Sequence, residues 1–402
     1  MKKILIILDG LGDLPCKELK GKTPLEAAKT PNLDFLAKNG KTGLMVPSNE
    51  KIPESEVALN ILGYTQKINR GILEALGSKI KISPGDLCLR TNFATKKDNK
   101  IIDRRAGRSL TTKEAKSLAN DLSKRIKLAF PFIFQATVQH RGVLVIKGGF
   151  SDNITDADPE HSKTISSQPL DEDETTKLSA NLVNNFLEQA DKILKDHPVN
   201  KFREDKKLLP ANTITTRGAG TEIPKLEEKK DWTAILSMPT EIGIAKLIKM
   251  RIVRIKQPKV TENDIYKNLY TSLNTHIKVA KKYILKKVKF SKLRKYVQQP
   301  NFYIHFKETD IPGHDGLPLE KKKMIELLDD TIFKELTKLK DTLICITGDH
   351  STPCKLKSHS DDPVPVLIYG KNKDSIQDFS EKACKKGKIG LIKGKDLMKH
   401  LY

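Results

Sequence analysis

The sequence has few aromatic residues, no paired cysteine motif and no long apolar run. Phenylalanine, tryptophan and tyrosine make up 5% of its 402 residues. No apolar stretch approaches the roughly 20 residues that a membrane-spanning helix needs, so we expect no membrane anchor. The five cysteines, Cys16, Cys88, Cys345, Cys354 and Cys384, form neither a CxxC motif nor a regular series. Such spacing is typical of reduced thiols and predicts a cytoplasmic protein.

The charge balance is strongly basic. Lysine and arginine number 73 against 50 aspartate and glutamate residues, which gives a net charge of +23. A non-enzymatic nucleic-acid-binding protein is one explanation of this charge. The lysines, however, are spread along the whole chain, and no module that interleaves aromatic and basic residues stands out. We therefore expect a small anionic substrate, attracted by a positive surface, rather than nucleic acid.

Three apolar segments, each predicted to be a buried β-strand, lead into acidic residues. They are residues 3–8 before Asp9, residues 302–306 before Asp310 and residues 343–346 before Asp349. The first begins like a signal peptide, but its apolar run is short and ends on an acid, which favours a strand. An α/β protein places such residues at the carboxyl edge of its sheet, so we expect the three carboxylates there.

Three histidines and a serine extend this set to a candidate metal centre. His314 lies four residues after the second acid, His350 follows the third acid directly, and His359 comes nine residues later. Ser55 stands in a predicted loop and gains a role only if a metal ion lowers the pKa of its hydroxyl group. The seven candidate ligands are Asp9, Ser55, Asp310, His314, Asp349, His350 and His359. They are too many for one zinc-like ion and suit a pair of divalent ions.

Charged turns recur in the central part of the chain, where polar and basic runs alternate with short strands from about Tyr64 to Glu228. These turns span residues 103–108, 140–142, 155–159 and 217–220. Arginines in glycine-bearing turns suit bidentate contact with a carboxylate or a phosphate group. A solvated charged loop is the alternative explanation for each turn.

In their order along the chain, these residues resemble the archaeal-type cofactor-independent phosphoglycerate mutases of the alkaline phosphatase superfamily. The resemblance runs nearly end to end. The motifs that carry it lie at residues 7–10, 22–28, 30–34, 73–77, 92–95, 103–108, 140–144, 217–220, 309–310, 313–316 and 347–354.

The resemblance implies an α/β fold, with an alkaline-phosphatase-like three-layer αβα domain built on a mostly parallel sheet. A smaller α+β domain is inserted into it. Together with the composition change, this places the metal-binding domain at 1–63 and 229–402 and the inserted substrate-gripping domain at 64–228. The implied activity is the interconversion of 3-phosphoglycerate and 2-phosphoglycerate, without 2,3-bisphosphoglycerate.

The resemblance also assigns roles to residues. It implies a phosphoserine intermediate at Ser55 and two metal ions, of which Mn²⁺ is expected and Mg²⁺, Co²⁺ or Zn²⁺ remain open. The ligands implied for one ion are Asp9, Ser55, Asp349 and His350, and those for the other are Asp310, His314 and His359. The candidate substrate contacts are Asp103, Arg104, Arg105, Arg108, His140, Asp156, Asp158 and Arg217. The oligomeric state is not predicted.

The chain departs from the family pattern at three places, one of which is the segment 68–72. Glu56 and its neighbours differ from the residues that follow the serine in many relatives. Ile242 stands near a position where a lysine is expected, and Lys246, one helical turn on, is a candidate replacement. These departures keep an alternative open, namely a related metal-dependent phosphotransferase or phosphohydrolase that acts on another small phosphate ester.

Overall fold

Two β-sheets organise the part of the chain that the structure describes. The structure is a computed structural model that describes residues 1–47, 54–98, 100–159, 165–258, 264–285 and 300–402, with the backbone alone for residues 54 and 55. In chain order the strands are β1 (Lys2–Leu8), β2 (Gly40–Val46), β3 (Leu87–Lys97), β4 (Lys100–Asp103), β5 (Phe132–Ala136), β6 (Arg141–Ile146), β7 (Thr213–Gly220), β8 (Trp232–Leu236), β9 (Arg251–Arg254), β10 (Asn301–Phe306), β11 (Thr342–Gly348), β12 (Val364–Tyr369) and β13 (Gly390–Lys393).

Helices connect and cover these strands. In chain order they are α1 (Pro24–Ala27), α2 (Pro31–Lys38), α3 (Glu54–Ile61), α4 (Arg70–Gly77), α5 (Thr112–Arg125), α6 (Glu174–Lys195), α7 (Pro198–Asp205), α8 (Pro239–Leu247), α9 (Ile265–Ile284), α10 (Asp310–Asp315), α11 (Pro318–Leu328), α12 (Lys334–Leu336) and α13 (Glu381–Cys384). Shorter 3-10 segments lie at Lys17–Leu19, Ala106–Arg108 and Gly394–Leu401, and a π-helical turn lies at Asp329–Phe333. Among the described residues, no helix is long and apolar enough to cross a membrane.

The larger sheet has eight strands in the order β13-β2-β12-β11-β1-β10-β8-β9. Strands β11, β1, β10, β8 and β9 pair in parallel, whereas β12 runs antiparallel to both of its neighbours. Because successive side chains point to opposite faces, β1 buries Leu5 and Ile7 on one face and Ile4 and Ile6 on the other. Each such side chain contributes about 1.5–3 kcal/mol when it is fully buried.

Helices cover both faces of this sheet. Residues of α3, α4 and α8 share one hydrophobic cluster with the strands, and residues of α2, α9 and α11 share the opposite cluster. The result is a three-layer αβα arrangement around a mostly parallel sheet. The predicted fold class is therefore confirmed.

The smaller sheet is antiparallel and comes from the middle of the chain. Its strand order is β4-β3-β6-β5, and β7 also pairs with β3. Helices α5 and α6 pack on one face through residues such as Leu118 and Phe186. A Thr111–Glu114 capping box starts α5, which was predicted over 112–126, because each side chain accepts the other residue's backbone N–H.

Helix α4 packs between strand β3 of the smaller sheet and helix α8, which covers the larger sheet. A Cβ atom at Gly71 would lie 2.0 Å from the Cys88 carbonyl oxygen of β3, and one at Gly77 would lie 1.8 Å from the Pro239 carbonyl oxygen of α8. Only glycine permits such close backbone approach. The helix thus ties the smaller sheet to the helical layer of the larger one.

Two predicted helices differ from the observed ones. The helix predicted over 242–250 begins three residues earlier, at Pro239, because proline suits the first helical turn. It ends at Leu247, and Lys249 then adopts a left-handed φ of 56°. The helix predicted over 319–338 is interrupted by the π-helical turn. That turn directs the Asp329 carboxylate to the backbone N–H of Leu33, at 2.7 Å, at the start of α2.

Candidate active site

The acidic residues predicted at strand ends meet at one edge of the larger sheet. Strands β11, β1 and β10 are neighbours, with Leu8 in register with Gly348 on one side and Phe306 on the other. Asp9 and Asp349 follow two of these strands directly. Their carboxylates and the His350 imidazole offer ligand atoms that all lie within 4.8 Å of one another. We call these three residues the first trio.

A second trio lies beside the first and consists of Asp310, His314 and His359. His314 Nε2 lies 3.3 Å from one carboxylate oxygen of Asp310, and His359 Nε2 lies 3.8 Å from the other. Asp310 and His314 share the short helix α10, where a spacing of four residues places them on one face. The first trio is buried, while the His359 side chain is 34% exposed, so the second trio opens to solvent.

The two trios are in contact through their imidazole rings. The His350 and His359 rings stack with their centroids 3.9 Å apart, and the His359 ring lies 4.9 Å from that of His314. Six of the seven residues predicted as metal ligands are thus brought together, in the grouping that the family resemblance implied. Their role as ligands stays a prediction.

The seventh, Ser55, cannot be placed in this geometry. Its backbone lies in helix α3, which begins at Glu54 rather than at the predicted Val57. Its side chain lies outside the described residues. The serine thus occupies the first turn of a helix, not the loop that was predicted.

Cationic side chains neutralise the buried carboxylates. Lys307 forms an ion pair with Asp9 and lies 3.4 Å from a Glu241 carboxylate oxygen. Burial opposes ionisation of Asp9, but the Lys307 ammonium and the His305 imidazole outweigh it and hold the pKa of Asp9 well below its usual range. Burial also opposes protonation of His350, yet the carboxylates of Asp349 and Asp9 raise the pKa of His350 to about 10.

These electrostatics fit divalent ions. Both Asp9 carboxylate oxygens, one Asp349 oxygen and His350 Nε2 are buried, and within the described residues they make ionic approaches to one another, Lys307 and His305 but no well-directed hydrogen bond. Buried polar atoms normally have partners, and buried carboxylates are normally paired with a cation or a metal ion. The donor set of carboxylate oxygens and imidazole nitrogens is one that divalent ions such as Mn²⁺ accept.

A buried lysine connects the loop after β1 to the loop after β11, and these two loops carry residues of both trios. Lys321 of α11 is fully buried, and its Nζ donates to the Asp13 carboxylate at 2.7 Å and to the carbonyl oxygens of Gly12 and Thr352, both at 3.0 Å. Asp13 is fully buried at its carboxylate and also accepts the backbone N–H of Cys354 at 3.0 Å. The loop after β1 and the loop after β11 are therefore fixed to each other through one ammonium group.

Replacing Lys321 by methionine should therefore destabilise the protein. The change leaves the Asp13 carboxylate buried and unpaired, which costs about 3–5 kcal/mol of unfolding free energy. Urea unfolding at neutral pH measures the effect. The matched control is Lys323→Met on the same helix, where a 60% exposed lysine pairs with Glu320 and contributes at most about 0.5 kcal/mol. Equal, small losses in both variants would contradict the assigned role of Lys321.

Positive charge also collects on the smaller sheet. Arg90 of β3 stands directly opposite Arg217 of β7, although like charges in such cross-strand pairs are destabilising. Burial and the neighbouring guanidinium groups of Arg90, Arg70 and Arg104 lower the pKa of Arg217. We call these four residues the arginine cluster. Because the guanidinium groups of this cluster repel one another, this part of the smaller sheet is suited to bind an anionic ligand.

Polar atoms without partners surround the arginine cluster. Arg90 is only 5% exposed, and its Nε has no hydrogen-bond partner among the described residues; neither has Oδ1 of Asn92 or Nδ1 of His140. Burial and the charges of Arg141 and Arg105 hold the pKa of His140 well below its usual range. His140 is therefore neutral and able to offer a ring N–H or a lone pair to a bound group.

The acidic residues predicted to contact substrate hold the arginines and turns of this part of the site in place, and their contact with substrate stays a prediction. Asp158 is buried and accepts two hydrogen bonds from the Arg104 guanidinium, at 2.6 and 2.7 Å. Asp156 accepts the backbone N–H of Gly218 at 2.8 Å. Asp103 accepts the N–H groups of Arg105 and Gly107, at 2.7 and 3.0 Å, and so shapes the turn that carries the arginines.

That turn reaches the second trio. Arg108 donates to the Asp315 carboxylate at 2.7 Å, and Asp315 directly follows His314. Arg105 lies close enough to His314 to oppose its protonation, although Asp310 raises the pKa of His314 overall. The turn that carries three of the predicted substrate arginines therefore lies against the second trio.

Several functional candidates were not predicted from sequence. Arg90 and His305 lie inside apolar strands, Lys307 follows one, and Arg70 opens α4. A charged or imidazole side chain in a run of buried strand residues is itself a sign of a site, and it would have singled out Arg90 and His305. Lys246, the candidate replacement lysine, donates to the Leu76 carbonyl oxygen of α4 at 2.5 Å, and its role as a replacement stays a prediction.

Comparison with known proteins identifies the family. A family model described as 2,3-bisphosphoglycerate-independent phosphoglycerate mutase matches residues 37–200. The protein of that name from Thermococcus kodakarensis is 39% identical over 415 aligned residues, covering 99% of this chain and 95% of the relative. The chain belongs to this family. The resemblance drawn from its motifs is thereby confirmed, and the family name implies that the reaction needs no 2,3-bisphosphoglycerate.

The fold of this chain is similar to those of solved structures, including one from the phosphoglycerate mutase family. A cofactor-independent phosphoglycerate mutase from Thermoplasma acidophilum has a TM-score of 0.59 at 30% identity, covering 100% of this chain and 99% of that chain. A Pyrococcus horikoshii protein has a TM-score of 0.75 at 28% identity, covering 99% of this chain and 96% of that chain. The similarity in each case includes both sheets.

Proposed function

We propose that this mutase interconverts 3-phosphoglycerate and 2-phosphoglycerate by passing the phosphoryl group through Ser55. The observation that supports the proposal is the contact between the turn of residues 103–108 and the second trio, because Arg108 pairs with Asp315, next to His314, and Arg104 of the same turn belongs to the arginine cluster. We propose that the trios bind the phosphoryl group and that the arginine cluster binds the glycerate carboxylate.

Two divalent ions, held by the first and second trios, complete the proposed site. When bound, they lower the pKa of the Ser55 hydroxyl and neutralise the charge of the phosphoryl oxygens. Mn²⁺ is the ion that we propose. Lys307 lies against Asp9 and Glu241, where its ammonium can balance charge that a phosphoryl group brings to the first trio.

The chemistry needs the glycerate to stay bound between two transfers. In the first, Ser55 Oγ forms a bond to phosphorus, the bond to the substrate's O3 breaks, and O3 leaves with the proton that the serine loses. In the second, O2 of the same glycerate forms a bond to phosphorus, the bond between phosphorus and Ser55 Oγ breaks, and the proton that O2 loses returns to Ser55 Oγ. The arginine cluster holds the carboxylate throughout, and Asp158 fixes the Arg104 guanidinium while this happens.

We propose that two domains share the work. Residues 1–63 with 229–402 bind the metal ions, and residues 64–228 hold the substrate. The division is supported by the strands, because the larger sheet takes its strands from both outer segments and the smaller sheet takes its strands from the middle one. We further propose a cytoplasmic protein with a small-molecule substrate and no nucleic-acid partner.

An enolase-coupled assay tests the function. Metal-free protein supplied with Mn²⁺ and 3-phosphoglycerate should produce 2-phosphoglycerate, and Ser55→Ala protein should not. Phosphate release is measured in the same samples. Phosphate formed without 2-phosphoglycerate, or faster turnover of another small phosphate ester, would instead support a related phosphohydrolase or phosphotransferase.

A further inference from the structure

The hydroxyl group of Thr352 lies between the first and second trios. Thr352 is fully buried in the loop after β11. Its Oγ1 lies 2.6 Å from a carboxylate oxygen of Asp310 and 3.0 Å from Nδ1 of His350. One of these residues belongs to each trio, so the threonine contacts both proposed metal sites without offering a ligand itself.

The chemistry of these groups permits one arrangement of protons. An ionised carboxylate only accepts hydrogen bonds, and a hydroxyl group has one proton to donate. Thr352 therefore donates to Asp310 and accepts from Nδ1 of His350, which must carry a hydrogen. In the neutral imidazole this leaves the lone pair on Nε2. That atom points into the first trio, 3.1 Å from an Asp9 carboxylate oxygen.

The surrounding backbone fixes the threonine in place. Its N–H donates to the Gly12 carbonyl oxygen at 3.0 Å, and its own carbonyl oxygen accepts from Lys321 at 3.0 Å. A Cβ atom at Gly10 would lie 2.7 Å from Thr352 Oγ1, and one at Gly313 would lie 2.4 Å from the Thr352 carbonyl oxygen. Backbone therefore packs closely against the residue from two sides.

We infer that the Thr352 hydroxyl is a positioning group shared by both metal sites, which selects the metal-binding tautomer of His350 and orients Asp310 through one hydrogen-bonded chain. The inference rests on the proposed function, since it presumes that the two trios bind ions. Outer partners of metal ligands of this kind are expected to change metal affinity about tenfold or more when removed.

Titration of the full-length, metal-free protein with Mn²⁺ tests the inference without any activity measurement. Isothermal titration calorimetry gives the affinity of each binding step for wild type, Thr352→Val and Thr352→Ser. Valine keeps the shape and loses the hydroxyl, whereas serine keeps the hydroxyl and loses the methyl group. We expect Thr352→Val to weaken both steps about tenfold or more, and Thr352→Ser to stay within about threefold of wild type.

A matched control separates the hydroxyl's role from general packing. Thr347 is also fully buried, on β11, but its hydroxyl donates to the Pro365 carbonyl oxygen at 2.9 Å and contacts neither trio. Thr347→Val should therefore leave both Mn²⁺ affinities unchanged, even if its thermal midpoint falls. If Thr352→Val does not fold, the comparison of Thr352→Ala with Thr352→Ser isolates the hydroxyl in the same way.

The outcomes are distinct. Unchanged Mn²⁺ affinities in Thr352→Val, or equal losses in the valine and serine variants, would overturn the inference and leave the proposed function standing. Wild-type protein that binds fewer than two Mn²⁺ ions would overturn the two-metal proposal and the inference with it. Selective weakening of both steps in the valine variant supports the shared hydroxyl.

Discussion

Replacing Asp349 by asparagine is expected to lower the phosphoglycerate mutase activity by about a thousandfold or more. Asp349 is fully buried, accepts the backbone N–H groups of Gly10 and His350 at 3.1 and 3.0 Å, and faces His305 at 3.2 Å with its other oxygen. Both N–H groups donate to the same oxygen, so an amide oxygen in its place keeps both hydrogen bonds, but the amide supplies no negative charge to the first trio. Loss of charge stabilisation worth several kcal/mol accounts for the expected factor.

Two measurements accompany this variant. Initial rates are followed over a range of Mn²⁺ concentrations, where high Mn²⁺ should restore part of the activity. Thermal unfolding with and without Mn²⁺ should show that the ion raises the midpoint of wild type more than that of Asp349→Asn, because binding to the folded state stabilises it and only the second trio stays intact in the variant. Asp361→Asn, an exposed carboxylate two residues beyond His359, is the control and should behave as wild type. A fully active Asp349→Asn protein would exclude the first trio as a metal site.

Replacing Arg90 by methionine is expected to change activity and stability in opposite directions. The guanidinium is buried opposite Arg217 and its Nε has no partner among the described residues, so its charge is a cost to the folded protein. An apolar side chain of similar length removes that cost, and the free energy of unfolding should stay equal or rise by about 1–4 kcal/mol. The kcat/KM for 3-phosphoglycerate should fall about 10- to 100-fold, because a charge-assisted hydrogen bond to the carboxylate is lost.

The products of the Arg90→Met reaction give a second readout. If glycerate is held less firmly between the two transfers, it leaves before it is phosphorylated again, and the ratio of released phosphate to 2-phosphoglycerate should rise. Arg125→Met, an exposed arginine in the last turn of α5, provides the control for loss of charge alone. A variant with unaltered kcat/KM and unaltered product ratio would place the substrate carboxylate elsewhere.

The location of the candidate metal centre could be predicted from a local sequence pattern, an apolar strand followed by an aspartate. Asp9, Asp310 and Asp349 each come after an apolar strand, and parallel strands end at the same edge of a sheet. What sequence alone does not contain is the order of the strands. The pairing of β1 with both β10 and β11 brings these acids into contact, and it joins segments about 300 residues apart along the chain.

Functional residues that do not follow an apolar strand as an acid does were harder to predict. His305 lies in a continuous buried strand, where an imidazole is a sign of a site but does not reveal its partners. Its hydrogen bond with the Tyr303 hydroxyl, at 3.1 Å, stays within β10, whereas its approach to Asp349 depends on the strand order, because Asp349 follows β11 on the far side of β1. Thr352 gives no sign in the sequence either, because a threonine beside proline is common in loops.

Elements with weak apolar patterns also escaped prediction. Strand β7 reads Thr-Ile-Thr-Thr-Arg-Gly-Ala-Gly, and its two glycines, which weaken a strand, favour a turn over residues 217–220 when taken alone. In the structure Gly218 and Gly220 allow α4 to approach, since a Cβ at Gly218 would lie 3.0 Å from the Arg70 Cβ. Tertiary packing therefore decides both the strand and the placement of the arginine cluster.

Identifying the phosphorylated residue tests the central claim most directly. Wild-type protein is mixed with Mn²⁺ and 3-phosphoglycerate, quenched in acid on the millisecond scale, digested and mapped by mass spectrometry. We predict phosphate on Ser55 that forms within a turnover and decays as substrate is exhausted. Phosphate on a different residue, or 2-phosphoglycerate formed by Ser55→Ala protein at the wild-type rate, would contradict a mutase that works through this serine.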